Sequence, residues 1–412
     1  MDRPIDTVNT FHAGTVFADV LVLLVTVLVA AIGARYTRIP YTVGLVVLGL
    51  IIGALPGHPS VALTPNLVML VFLPALLFAG AWTYPVQQLR RNWLPIGLLS
   101  TAGVLITIAT CWAVLVYGAH MPSQTALIFG AIVSATDPVA VISVFRSLQT
   151  NEQLTAIVEG ESLFNDATSV VAFKVTLLLS VAAAHATAAT AAIDFVKLLG
   201  GGAIVGVLFG AAALFVLRLT DDYVTEALGT LVVAYGSYFV ADHIGASGLV
   251  AVIVAGMFLS RLGARLGSFS QTRASVNQLW DFINFVANSL LFLLVGLAID
   301  FIGLRTSLIP ALWGLGAVAI GRIVAVYGLS GVSALFGERM PLSWQHVFTL
   351  GGLRGALSLA LVLSLAASIP RRDELVAMVF SVVLFTIVVQ GLAIAPAILR
   401  LRVARASQNV GP

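Results

Sequence analysis

The most constraining feature of this chain is a succession of long apolar stretches, with charged side chains gathered mostly in the gaps between them. A stretch of about 20 apolar residues is what an α-helix needs to cross the hydrocarbon core of a bilayer. Glycine, proline and charge clusters divide the apolar mass into about thirteen segments, at 14–34, 41–54, 63–83, 94–117, 124–146, 155–182, 193–218, 223–242, 246–262, 278–300, 307–336, 343–369 and 373–399. In hydrocarbon only helices and closed barrels satisfy their own backbone. Runs this long, with no alternation of polar and apolar residues, predict helices. A water-soluble fold is excluded by composition. Of 412 residues 59% are apolar and 9% charged, whereas a soluble domain carries about 25% charged residues to cover its surface.

The first apolar run, from Val16 to Ile32, reads as a retained span because the polar stretch before it lacks the basic region of a cleaved signal. Basic residues set the orientation. With the N-terminus outside and an odd number of spans, most of the 21 Lys and Arg residues fall in or beside cytoplasmic loops. Lys174, Arg322 and Arg354 remain inside spans. The C-terminus is then cytoplasmic. No loop is long enough for a soluble domain, so the chain reads as a single transmembrane domain, 1–412. The net charge of +3 calls for no nucleic-acid partner. Cys111 is alone, the six histidines are scattered, and no HExxH, GxSxG or GxGD motif appears. The expectation is a protein without enzymatic activity or a cofactor, and without the machinery of an intramembrane protease.

An ionisable side chain inside a span is costly, which makes it a functional candidate. In Ser134-Ala135-Thr136-Asp137-Pro138, the proline lacks an N–H and disfavours helix at the residue before it, so the fifth segment should break there. A break frees carbonyl oxygens, to which Thr136 and Asp137 add side-chain oxygens, the ligands that hard cations prefer. A kink capped by Asp137 would explain the break, although a kink alone needs no acid. In Glu159-Gly160-Glu161-Ser162-Leu163-Phe164-Asn165-Asp166, a helix places Glu159, Ser162 and Asp166 on one face and Glu161 beside Asn165. Burial disfavours an ionised carboxylate and a nearby cation favours it. A buried acid can therefore hold a proton or a metal ion in turn. Arg322 and Arg354 each need a counter-charge, for which Glu161 and Glu159 are available. A fixed structural ion pair is one reading of both arginines. Asp281 reads as interfacial, Asn288 as a helix–helix hydrogen bond, and Lys174 as a packing residue reaching a polar partner.

Taken together, Thr136-Asp137-Pro138, Glu161-Ser162-Leu163-Phe164-Asn165-Asp166 and Gly351-Gly352-Leu353-Arg354-Gly355-Ala356 resemble the signatures of the monovalent cation/proton antiporter superfamily, in its sodium/proton exchanger branch, over nearly the whole chain. The likeness is greatest to the prokaryotic members, which lack the regulatory tail of animal exchangers. The resemblance implies an all-α polytopic membrane protein of thirteen helices, with inverted-topology repeats and discontinuous crossing helices. It implies a moving core from spans 94–182 and 307–399 and a dimerisation domain from 14–83 and 193–300. Asp166 would carry the ion, with Asp137, Thr136 and Ser162 completing a Na⁺ shell. The fifth span, broken at Pro138, would cross a similarly interrupted twelfth span at Gly351–Gly355; Glu161 would pair with Arg322, Arg354 would steady that crossing, and Asn165 would mark electroneutral exchange of one cation for one proton. Na⁺ or Li⁺ and protons would be the transported partners, across the cell membrane and from a homodimer. Glu159 receives no role. Potassium/proton exchange and a cation channel are the alternatives.

Overall fold

The computed structural model describes residues 7–34, 36, 39–56, 59, 61, 63–181, 187–217, 222–265, 272–299, 308–401 and 403; side chains 7–16, 180–181, 188 and 264–265 are not described. Among these there is no strand. The helices are α1 Thr7–Ala34, α2 Tyr41–Gly53, α3 Leu67–Thr83, α4 Val86–Arg91, α5 Trp93–Gly118, α6 Ser123–Ser134, α7 Val139–Ser147, α8 Glu152–Val181, α9 Ala188–Leu217, α10 Tyr223–His243, α11 Gly248–Arg265, α12 Arg273–Leu297, α13 Leu308–Leu335, α14 Leu342–Leu350, α15 Ala356–Leu363 and α16 Arg372–Arg400.

Among the described residues nine helical stretches are long and apolar enough to cross a membrane, α6 and α7 counting as one, and α2, α3 and α11 are shorter apolar helices. Thirteen is reached only if these and the interrupted α14–α15 are counted with the nine. The outward-facing side chains are themselves apolar, as at Phe17, Leu28, Phe215, Phe239 and Ile309. Water would penalise such a surface and lipid does not. The protein is therefore a multi-pass membrane protein. The orientation reading draws in part on Arg3, Arg35, Arg38, Arg218, Arg305, Arg402 and Arg405, which lie outside the described residues, as do the ends of segments 155–182, 193–218, 278–300 and 307–336.

The helices pack as two groups. In one, α12 lies against α1, α2 and α3, and α11 joins α3 to α9 and α10. In the other, α5 packs on α6, α8 and α13, while α16 packs on α13 and α15. The groups meet where α8 touches α9 and α11, and where α15 touches α3 and α12.

Two spans are interrupted, and the interruptions cross. The first follows the proline logic: α6 stops at Ser134, Ala135 is extended, and α7 starts after Pro138. The second is the interruption that the resemblance implies at Gly351–Gly355, within segment 343–369. The helix opens between Leu350 and Ala356 and ends at Leu363, because three glycines offer no side chain to pack and the backbone there bonds to the other break instead. The Asp137 N–H donates to the Leu353 carbonyl at 2.8 Å, and the Ser358 hydroxyl to the Ile132 carbonyl at 2.9 Å. Freed backbone groups are thus paired inside the protein, as a low-dielectric setting requires. Glycine is demanded at two positions here. A Cβ on Gly355 would lie 2.3 Å from Asp137 Oδ2, and one on Gly352 would lie 2.6 Å from Arg322 Nε.

Candidate cation site

α8 runs past the crossing and supplies most of the site. Glu161 is 1% exposed and meets Arg322 of α13, whose Nη1 donates to Glu161 Oε1 at 2.8 Å. Arg322 also donates to the Phe348 carbonyl at 3.3 Å and lies over the Phe348 ring. The other Glu161 oxygen accepts from the Thr136 hydroxyl at 3.2 Å. Asn165, one turn along, donates from its amide to Glu161 Oε1 at 3.1 Å and to Thr136 Oγ1 at 3.3 Å. Its own oxygen accepts from Ser169 at 2.8 Å. This network fixes the broken segment against α8, and it holds Glu161 as a charge-balanced carboxylate.

Ser162 donates its hydroxyl to the Thr136 carbonyl at 2.8 Å. Asp137 caps α7, with Oδ1 accepting from the Val139 N–H at 3.1 Å. Thr136, Asp137, Ser162 and Asp166 line one cavity of about 570 Å³. Both aspartates are partly exposed to it, whereas Glu161 and Asn165 do not line it. Among the described residues Asp166 has no ion pair and no hydrogen bond. A carboxylate in an apolar bundle with no protein counter-charge needs an external cation or a proton. The oxygens around it are those that would take a hard monovalent ion as cargo.

The pairing expected of the arginines is corrected in one respect. Arg354 is 1% exposed and forms no ion pair among the described residues. Its Nη1 donates to the carbonyls of Ser134 at 2.9 Å and Ala135 at 2.8 Å, the acceptors released where α6 unwinds. Its own N–H is taken by Thr386 at 3.0 Å. Glu159 pairs instead with Arg146, at 3.3 Å near the cavity mouth. Lys174 reaches a polar partner, Asp242, at 2.7 Å, and Asp281 is exposed. Among the described residues Asn288 makes no bond to another helix; it donates to Asn284 of its own helix at 2.8 Å, and both asparagines line the cavity from the α12 side. Ser169 went unnoticed in the sequence although it lies four residues after Asn165, the spacing that places it on the same face.

Residues 21–400 match the family described as sodium/hydrogen exchanger, transmembrane. The chain belongs to that family. Among its relatives, the Na⁺/H⁺ antiporter ApNhaP of Aphanothece halophytica is 38% identical over 88% of this chain and 69% of its own length. The Na⁺/H⁺ antiporter NhaH of Halobacillus aidingensis is 36% identical over 96% of this chain and 99% of its own. The fold is shared with the sodium proton antiporter MjNhaP1 of Methanocaldococcus jannaschii, at a TM-score of 0.76 and 23% identity, covering 94% of this chain and 99% of that one.

Proposed function

We propose that this protein is an electroneutral Na⁺/H⁺ antiporter that also accepts Li⁺, with cation and proton competing for Asp166. The observation that carries this reading is the Asp166 carboxylate, unpaired among the described residues, in a cavity it shares with Asp137, Thr136 and Ser162. Relatives at 38% and 36% identity are named as Na⁺/H⁺ antiporters. Asn165 favours a one-for-one exchange. Its amide is committed on both sides and carries no titrating proton, so it adds no second carrier beside Asp166.

The mechanism is alternating access. The helix group holding α5, α6, α8, α13, α15 and α16 is the moving core, and the group holding α1–α3 and α9–α12 is the dimerisation scaffold of a homodimer. Support comes from the cavity wall, where Thr136 and Asp166 of the first group face Leu73, Asn284 and Asn288 of the second. The mouth holds Arg146. By the bias of basic residues this is the cytoplasmic side, with the N-terminus outside and the protein in the cell membrane. An empty, ionised Asp166 resists crossing because a bare charge in the bilayer is costly, which couples the two fluxes.

Proteoliposomes with an imposed pH gradient test the reading. Na⁺ and Li⁺ added outside should dissipate the gradient at a fixed ratio of cation to proton, with K⁺ ineffective. Dissipation by K⁺ alone, or a flux ratio that drifts with the gradient as a channel's would, overturns it.

A further inference from the structure

Among the described residues the ion pair between Glu159 and Arg146 is the one charged pair that lines the cavity, and Glu159 holds its end of it on α8. Glu159 precedes Asp166 by seven residues, on the same face and about 10 Å along the helix axis toward the mouth. Its side chain is 25% exposed and that of Arg146 is 76% exposed. They share one hydrogen bond, Arg146 Nη2 donating to Glu159 Oε1 at 3.3 Å. Among the described residues the second carboxylate oxygen of Glu159 has no hydrogen bond.

Two comparisons within the molecule say what this pair is not. The Glu161–Arg322 pair is buried and fixed by further hydrogen bonds, so removing either charge strands the other. The Lys174–Asp242 pair joins α8 to α10, hence one helix group to the other. The Glu159–Arg146 contact joins two consecutive helices, α8 and α7, and reaches no distant element. It is solvent-reached, singly bonded and weak, as exposed pairs are. A guanidinium therefore occupies, loosely, a carboxylate that faces the route to Asp166.

We infer that Glu159 is an outer station for a hydrated monovalent cation, and that Arg146 is its resident competitor. An arriving cation displaces the guanidinium from Glu159, and the freed Arg146 swings into solvent. The cation then steps inward to Asp166. A carboxylate at a narrow, low-dielectric mouth raises the local concentration of cations, so the station acts on apparent affinity and leaves the turnover step to Asp166. The inference rests on the antiport reading.

The test is a kinetic series in proteoliposomes, with initial rates against Na⁺ concentration for the full chain. Glu159→Gln should raise the Na⁺ KM by about three- to tenfold with kcat kept within about twofold. Arg146→Gln should lower the KM by about two- to fivefold, the release expected from an exposed pair. In the double variant the benefit of Arg146→Gln should vanish, because the competitor has nothing left to compete for. Glu159→Asp should restore part of the affinity. If Arg146→Gln lowers the KM equally with and without Glu159, the arginine acts through general potential and the station is refuted. An unchanged KM in both single variants, or a fall in kcat in both, refutes it as well. Arg146 is mostly in solvent, so its variant stays informative should Glu159→Gln fold poorly. An Asp166→Asn control separates the two ideas. Exchange surviving in that variant sinks the antiport reading itself, whereas its loss alongside an unmoved Glu159→Gln KM sinks the outer station alone.

Discussion

Two carboxylates five residues apart on α8 have opposite fates, and helical geometry is the reason. Five residues turn the helix by about 140° beyond a full turn, so Glu161 points at Arg322 while Asp166 points into the cavity. Asp166→Asn removes a charge that no protein group among the described residues balances. The variant should fold with its melting temperature nearly unmoved and lose cation-driven dissipation of a pH gradient; exchange that persists would refute the role. Glu161→Gln leaves Arg322 buried without its counter-charge. That should cost about 3–5 kcal/mol of stability and appear as a lowered melting temperature in detergent, together with lost transport. These residues stood out in the sequence because a charge inside an apolar run is conspicuous. Their partners did not. The acceptors of Arg354 could not be read, because those at Ser134 and Ala135 are main-chain carbonyls that exist only once α6 has unwound. Residue chemistry alone could not tell Glu159 from Glu161 as a buried counter-charge, since both flank the same glycine, and only the family resemblance singled out Glu161.

At the scale of elements, the crossing of two interrupted spans is what places Asp137 beside α8. Pro138 announced the first break, through a rule of local chemistry. The second was legible only through likeness to a family, because glycines in a membrane helix signal close packing as readily as an interruption. The end of that span at Leu363, earlier than its apolar run suggests, is also invisible to hydropathy, which measures burial in lipid and not helix. Gly355 gives the crossing a sharp test. An added methyl would lie 2.3 Å from the Asp137 carboxylate, closer than real contacts allow. Gly355→Ala should therefore displace Asp137, lower stability by about 1–3 kcal/mol and depress exchange strongly. Gly328, within α13, has nothing within 4 Å of such a methyl. Gly328→Ala should leave transport intact and stability equal or slightly higher, since alanine favours helix over glycine by about 1 kcal/mol. Equal loss in both variants would show that the close approach at Gly355 is not what matters.

At the scale of the whole molecule, the spans were readable and their arrangement was not. A helix in water advertises its buried face by polarity. Here lipid and protein interior are equally apolar, so the sequence does not say that α12 lies on α2 while α13 lies on α5. The cavity between the two helix groups, with Asn284 and Asn288 on its α12 wall, follows from that arrangement alone. Its consequence is a pH dependence of defined sign. Cation and proton compete for one carboxylate, so protonation removes the charge that holds the cation and deprotonation restores it. As pH falls, the apparent Na⁺ KM should rise, approaching about tenfold per pH unit once the protonated form dominates, the limit for one proton linked to one cation. As pH rises, the KM should level off, because every carrier is then ionised and ready. At saturating Na⁺ on the loading side the maximal rate should change far less than the KM. Electroneutral exchange moves no net charge, so clamping the membrane potential should not alter the rate. Initial rates of gradient dissipation, taken over a Na⁺ series at each of several pH values, measure both quantities. A KM that stays constant while only the maximal rate varies would mean that the proton acts at a separate regulatory group and does not share Asp166 with the cation.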